Sequence, residues 1–426
     1  DTPTLGSANH YHGLTNTMNG FISGTYTRPF GALTTRTTVR GLFERSDFTS
    51  TQASGSDFAV IDVPDLDELI NQSIGSSYTE VRANAVVVAT GSAPIIPPPY
   101  DAIREHVLIN DDVFELERIP ASLAVVGTGI IGLELGQALQ RLGAKTTFFS
   151  PFNDLGPFTD PAIKQETRAI LGSELDLQLG SDVNAAEKTD DGIRLAWTDA
   201  SGAAHEAVFE AVLVAAGRRP QLAGLGLEHT GLALDERGVP PWDPATTQAG
   251  DAPIFIAGDV SGHRPLLHEA SDEGRIAGAN AARYPDVDVH VRRAPLAVAF
   301  TDPNMAMVGV PYAQLDLDQV EIGEVSFSNQ GRARVMGRNQ GLLRLYGDRR
   351  RCTLIGAEFI GPRAEHIAHL LAWAVQEDMP VTRMLRMPFY HPVIEEGLRT
   401  GLRDLAARLR VRGQCRNEDF AMAAGM

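Results

Sequence analysis

Cysteine is almost missing from this chain of 426 residues: it occurs twice, as Cys352 and Cys415. Two thiols so placed build no disulfide framework and give no sign of an oxidising compartment. No apolar run reaches the roughly 18 residues that would suggest a membrane span, and no basic stretch followed by an apolar one opens the chain as a secretory signal does. Positive charge is also short, with 37 Lys and Arg against 54 Asp and Glu and a net charge of −17. That balance disfavours nucleic acid and anionic membrane as partners. With 43% hydrophobic residues, the expectation is a soluble globular protein of the cytoplasm. Its length exceeds what one core serves and suits about two to four domains.

The clearest pattern runs from Leu123 to Ser150, LAVVGTGIIGLELGQALQRLGAKTTFFS. An apolar run (Leu123 to Val126) enters a turn carrying Gly127, Gly129 and Gly132, and apolar residues then recur at Ile131, Leu135, Ala138, Leu139 and Leu142. The spacing predicts strand, tight glycine turn and amphipathic helix. In such a turn the first glycine permits the bend, the second lets a pyrophosphate approach the backbone, and the third lets the helix pack on the strand. Phosphates would sit at the helix N-terminus, where free N–H groups and the dipole favour anions. Gly143 falls where the helix should stop, and Ala144 to Phe149 returns as a second strand. A GxGxxG alone also describes a glycine-rich turn in any α/β protein. With strand, helix, stop and second strand in register, the stretch predicts a dinucleotide site.

Elsewhere the chain is read in order. Residues 1 to about 55 are rich in Thr, Ser, Gly and Asn, and loop or disorder is their natural reading. FAVIDV from Phe58 reads as a strand and DLDELI as a short helical turn. Ala85 to Ala89 is a buried strand ending in Thr90, Gly91 and Ser92, the kind of carboxyl end at which ligands sit in open α/β sheets. A second unit of the same kind is expected from Val208 to Ala216, a strand ending in Gly217, and from Ile254 to Ala257, ending in Gly258 and Asp259. Asp259 is either a cap for the following turn or a carboxylate accepting from cofactor hydroxyls. His268 to Ala281 is a helix. Further on, Gly341 to Tyr346 and Leu354 to Ile360 flank GDRRR as an antiparallel hairpin. Arg363 to Gln376 and Glu395 to Leu409 are helices, the second striped with Leu398, Leu402, Leu405 and Leu409.

Taken in order, ATGSAPIIPP, VVGTGIIGLELG, AAGRRP, IFIAGD, FTDPNMAMVG and FYHPVIEEGLR resemble the flavin-dependent pyridine nucleotide-disulfide oxidoreductases, most of all the dihydrolipoamide dehydrogenase group. The resemblance runs from about Val81 to about Leu409. It implies an α/β fold with two Rossmann-like domains, for FAD and NAD, and a C-terminal α+β dimerisation domain. Residues 1–115 and 229–292 would be the two parts of the FAD domain, 116–228 the NAD(P)-binding domain and 293–426 the dimerisation domain. FAD and NAD are the implied cofactors, a homodimer the implied assembly, and a lipoyl or small disulfide or dithiol the implied substrate; no metal is implied. Position by position, Thr90, Gly91, Ser92 and Asp259 would border FAD, with Asp259 near the ribityl chain and Leu266, Leu267 and His268 along the isoalloxazine ring. Gly127, Gly129, Ile130, Ile131, Gly132, Glu134, Ser150 and Gly217 would line the NAD(P) site. His391 and Glu396 match the family's His-Pro-x-x-x-Glu pair, which reaches into the partner subunit's active site. Histidine exchanges a proton with a thiol near neutral pH, and a carboxylate on one ring nitrogen fixes the tautomer. Without the family, His391 reads as a residue leading into a helix and Glu396 as an N-terminal helix charge.

The sequence departs from that pattern in several places. The family opens with a GxGxxG for the FAD phosphates and a redox-active cysteine pair, whereas here no GxGxxG precedes Gly127 and no cysteine precedes Cys352. The dithiol relay has no residues to make it. A frame error, a degraded gene and a real variant all give such a sequence. Cys415 stands without the neighbour that a C-terminal cysteine pair needs. At the end of the second strand, where NAD enzymes place Asp or Glu and NADP enzymes place Arg nearby, stands Ser150. NAD is favoured and NADP stays open, since a 2′-phosphate without a cation would be poorly neutralised. Three functions compete: a dihydrolipoamide dehydrogenase-like flavoprotein with an aberrant N-terminus, a disulfide-free flavin reductase or transhydrogenase, and a non-catalytic NAD(P)-binding dimer.

Overall fold

A computed structural model of the chain describes residues 84–412 together with the backbone of four strands before them. Three of those strands, Phe21–Phe30, Leu33–Leu42 and Ser46–Thr49, pair antiparallel in sequence order. Over these three strands this corrects the loop or disorder reading of the first 55 residues. Thr34, Thr35, Thr37, Thr38 and Val39 are β-branched, a residue class favoured in strands even where overall composition is polar. The expected helical turn DLDELI lies outside the described residues.

The chain divides into two compact units, one made of Asp1–Ala93 with Arg218–Arg292, the other of Pro94–Gly217 with Arg293–Met426. In the first, Phe58–Ile61, Ala85–Val88 and Ile254–Ile256 form a parallel sheet with Ala85–Val88 in the centre. The helix Leu267–Ala281 covers it, burying Ala277 and Ala281 against Ala85, Val87 and Phe255.

In the second unit, a parallel sheet is ordered Ala211–Val214, Ser122–Val126, Lys145–Ser150, Asp176–Leu179. An antiparallel group, Asp182–Thr189, Gly192–Thr198 and Ala204–Phe209, packs beside it, with the Trp197 ring edge-on to Phe149 at 5.0 Å between centroids. The single strand expected from Val208 to Ala216 is therefore two. Val208 belongs to the antiparallel group, and the break falls at Glu210, whose carboxylate accepts the Ala121 N–H at 2.6 Å. The expected second unit is likewise divided, since Ala211–Val214 joins the glycine-turn sheet while Ile254–Ile256 lies in the other unit.

The helix after the glycine turn, Ile130–Arg141, stops as expected, with Gly143 at φ +111 just beyond it. Its buried face is not the expected stripe. Gly132, Leu133, Gly136, Gln137 and Leu139 are buried, while Ala138 is exposed and Leu142 is 66% exposed. A Cβ on Gly136 would fall 2.4 Å from the Phe148 ring, so the helix turns its side-chain-free edge to the sheet.

An antiparallel sheet follows, ordered Leu296–Ala299, Asn304–Gly309, Leu354–Gly361, Leu342–Asp348, Val320–Ser326. Helices Ala364–Gln376 and Glu396–Arg412 pack on it. The stripe Leu398, Leu402, Leu405 and Leu409 is buried to 2% exposure or less inside this domain, so it is core and not a docking face. Cys352 sits in the turn before Leu354, at φ +57 and not in the strand, and is disulfide-bonded. The chain's other cysteine, Cys415, lies outside the described residues.

A buried polar network joins this sheet to the helix Pro161–Gly172. Asp160 caps that helix through the Ala162 N–H and takes a fork from Arg344 Nη1 at 2.7 and 2.9 Å, plus the Tyr346 hydroxyl at 3.0 Å. Glu358 accepts the N–H groups of Thr159, Asp160 and Tyr312 at 2.9 to 3.0 Å and the Thr159 hydroxyl at 2.6 Å. Burial beside two carboxylates pushes the Tyr346 phenol far above its ordinary range, so it stays a donor. Removing one member of a buried ion pair leaves the other uncompensated. Arg344→Met should cost about 3 kcal/mol, seen as a lower urea midpoint at unchanged slope.

Candidate active site

The strand Ser122–Val126 ends in Gly127, at φ +106, whose N–H donates to the Phe149 carbonyl at 2.8 Å. A Cβ here would meet the Ala215 carbonyl at 2.3 Å, and one on Gly132 would meet the Gly127 carbonyl at 2.1 Å. Only glycine permits this crossing of backbone on backbone. Gly129 differs, being exposed, extended and open, with no heavy atom within 4 Å of a built Cβ. It precedes the helix, which has no side-chain cap, so first-turn N–H groups at Ile130, Ile131 and Gly132 face this opening without a side-chain acceptor. Thr128 pins the loop by donating its hydroxyl to the Asp154 carbonyl and accepting the Gly156 N–H, both at 2.8 Å. Gly217, at φ +119, accepts the Ile95 N–H at 2.9 Å. Two further residues are engaged elsewhere. The Glu134 carboxylate accepts the Phe300 N–H, and the buried Ser150 hydroxyl accepts the Phe152 N–H at 3.1 Å.

In the other unit, Thr90, Gly91 and Ser92 follow the strand Ala85–Val88, with the Thr90 hydroxyl on the Gln221 carbonyl and Gly91 at φ +71 beside open space. The Asp259 side chain caps nothing; its Oδ2 accepts the Ser92 hydroxyl at 2.8 Å, and Ser92 Oγ accepts Arg218 Nε at 2.7 Å. Arg218 Nη2 also donates to the Ser92 carbonyl at 2.7 Å. Leu266 leads into the helix Leu267–Ala281, and Leu267 is 88% exposed with His268 exposed after it.

His391 and Glu396 are brought together. Both carboxylate oxygens of Glu396 lie 3.0 Å from His391 Nδ1, and Glu396 also accepts the Val393 N–H at 3.3 Å. The imidazole is held at one nitrogen and presents the other outward, with its side chain 81% exposed. Beside it lies an apolar groove of about 490 Å³, lined among others by Leu370, Trp373, Met387, Phe389 and Tyr390.

Two family models match the sequence. That of the pyridine nucleotide-disulphide oxidoreductases covers residues 37–274, and that of the dimerisation domain of the same enzymes covers 296–401. The chain belongs to the pyridine nucleotide-disulphide oxidoreductase family. It is 32% identical over 329 residues to dihydrolipoyl dehydrogenase 2 of Haloarcula marismortui, covering 76% of this chain and 69% of that one. To dihydrolipoyl dehydrogenase 3 of Pseudomonas aeruginosa it is 31% identical over 340 residues, covering 78% and 71%. The solved structure of LpdA from Mycobacterium tuberculosis superposes with a TM-score of 0.66 at 26% identity, over 77% of this chain and 71% of that one. The flavoprotein disulfide reductase RclA of Escherichia coli shares the fold, with a TM-score of 0.64 at 21% identity over 77% and 74%. The family's members are flavin-dependent oxidoreductases that use FAD and NAD(H), and this chain is an oxidoreductase of the dihydrolipoyl dehydrogenase-like kind.

The residues present fit both cofactors in part. The open backbone at Gly129 fits a dinucleotide pyrophosphate, and the carboxylate of Asp259 beside open Gly91 fits a sugar-like chain of hydroxyls. For the FAD pyrophosphate the sequence before Gly127 offers no GxGxxG. Two residues tied to this site escaped the sequence reading. Arg218 stands in AAGRRP, where a cation after a strand end was its only signal. Glu273 is signalled by an acid four residues after Glu269 on one helix face, both of them buried.

The pair at the C-terminal end makes a pH prediction. The hydrogen bond from His391 holds the Glu396 carboxyl below its ordinary 4.5, with the Val393 N–H and nearby cations adding to the effect. A carboxyl depressed by folding stabilises the protein above its unfolded value and loses that contribution as pH falls through the lower folded value. Carbon-detected NMR titration should find Glu396 below 4.5, and His391→Ala should move it back up.

Proposed function

We propose that this polypeptide exchanges hydride with NAD(H) on a flavin in the manner of the dihydrolipoamide dehydrogenases, with 116–228 as the NAD(P)-binding domain between the FAD-domain parts 1–115 and 229–292, and with 293–426 pairing two copies. The observation that carries the reading is the complete glycine turn, in which Gly127 and Gly132 are closed to any Cβ while Gly129 is open. First-turn N–H groups hold the pyrophosphate, and Gly129 leaves room for it. Bound FAD would supply the two-electron acceptor for the hydride of NADH. Asp259 orients the ribityl hydroxyls as their acceptor. His391, oriented through Nδ1 by Glu396, keeps Nε2 available to exchange a proton with a substrate or acceptor.

The thiol step lacks the family's cysteine pair in this sequence, because no cysteine precedes Cys352. Hydride transfer needs no thiol. The polypeptide as written should therefore oxidise NADH with a dye or quinone acceptor and show negligible lipoamide turnover. Lipoamide reduction above background, with contaminating enzyme excluded, would refute the lost relay.

Because Gly129 has open space around it, Gly129→Leu should fold as the parent does while its side chain occupies the phosphate approach. NADH affinity by calorimetry should fall at least about tenfold; unchanged affinity would remove the cradle assignment.

The groove beside His391 is the proposed docking surface for the second copy. Trp373 and Tyr390 are 68% and 79% exposed on its walls, and an apolar patch of that kind marks an association surface. Sedimentation at micromolar concentration should show a dimer, and Trp373→Glu should give the monomer.

A further inference from the structure

We propose that Glu273 is a positioning residue for Asp259: it holds the turn that carries Asp259 by accepting that turn's first N–H, and Arg292 keeps the Glu273 carboxylate in place. The proposal rests on Asp259 facing the flavin cofactor, as read above. Glu273 is fully buried, and its Oε2 accepts the Gly258 N–H at 2.8 Å while its Oε1 accepts Arg292 Nη2 at 3.0 Å. Gly258 sits at φ +79, and a Cβ there would press on Ala270 at 3.3 Å, so the backbone lies hard against the helix that bears Glu273. Asp259 is the next residue. Its carboxylate is fixed by Ser92, and Ser92 by Arg218, so the side chain is held from one end and the backbone from the other.

A buried carboxylate is costly unless paired, and apolar replacements of buried ion pairs are often neutral or stabilising. Stability alone is thus a weak reason for two buried acids to share Arg292. Burial raises the Glu273 carboxyl, opposed by the hydrogen bonds from Gly258 and Arg292. Glu269, the other acid, bonds Arg292 and Arg264 but not the turn. The two acids therefore separate the roles: both neutralise Arg292, and Glu273 alone touches Gly258. Arg292 also donates to the Pro244 carbonyl at 3.2 Å and closes the sequence segment Arg218–Arg292.

The test titrates FAD into the flavin-stripped full chain, following fluorescence and the visible spectrum, with thermal unfolding recorded without FAD. Glu273→Ala should weaken FAD binding about tenfold or more, and Glu273→Gln, which restores an acceptor for Gly258, should return it to within about threefold. Glu269→Ala, which removes the other partner of Arg292, should stay within about threefold of the parent. Where Glu273→Ala fails to fold, Glu273→Met fills its volume and carries the same expectation. Parent-like affinity in the variant lacking the acceptor, or equal losses at 269 and 273, would overturn the proposal while leaving the flavin reading intact. A parent chain that binds no FAD would overturn the flavin reading and this proposal together.

Discussion

At Gly132 backbone lies so close on backbone that a Cβ would fall 2.1 Å from the Gly127 carbonyl. The proposed nucleotide cradle depends on that contact. It sets the helix Ile130–Arg141 directly on the strand Ser122–Val126, which aims the helix N-terminus at the opening above Gly129. Gly136 extends the same contact one turn further, against the Phe148 ring. The consequence is an unusual core face in which two glycines and Gln137 are buried while Leu142 is left in solvent. Gln137 is satisfied there by Glu174 and by the backbone of Asp302, so its burial costs little.

The acidic excess has an internal use. Carboxylates repeatedly take the N–H groups of turns: Glu358 at Thr159, Asp160 and Tyr312, Glu273 at Gly258, Glu134 at Phe300, Glu210 at Ala121 and Glu396 at Val393. Loop N–H groups that no strand or helix satisfies need such acceptors when they are withdrawn from water. Charge-assisted bonds are stronger than neutral ones and fix a turn more firmly. The net charge of −17 is thus partly architectural, and it need not describe the partners the protein avoids.

What was legible in the sequence was local. Gly132 answers a steric demand made by Gly127 five residues earlier, and His391 and Glu396 likewise meet across five residues. The helix Leu267–Ala281 and the hairpin around GDRRR follow from periodicity and turn residues alone. Illegible features depended on distant partners. Phe209 and Ala211 are both apolar, and the strand break between them is marked by Glu210 reaching a backbone 89 residues away. The threonine-rich strands near the start looked polar until each acquired a neighbour to pair with. Arg218 is defined by Ser92, 126 residues earlier, and its chemistry is invisible without that contact. Hydrophobic periodicity also ranked side chains on the glycine-turn helix, whereas the sheet selected the edge that could come nearest.

The same distinction bears on the leucine stripe of Glu396–Arg412. Its spacing described an amphipathic helix correctly, but amphipathicity says only that one face is covered, not what covers it. Gly323 supplies the answer: a Cβ there would lie 2.4 Å from that of Leu405, so the helix is seated on its own sheet with no room for a second chain between them. The apolar surface left for a partner is therefore the one the stripe does not use, at Leu370, Trp373, Met387 and Tyr390. That surface abuts His391, whose free ring nitrogen faces outward with nothing on its own chain to receive a proton among the described residues. The proposed roles of His391 as proton carrier and of this apolar wall as the dimer surface thus converge on one place, and the bond to Glu396 orients the imidazole before any partner arrives.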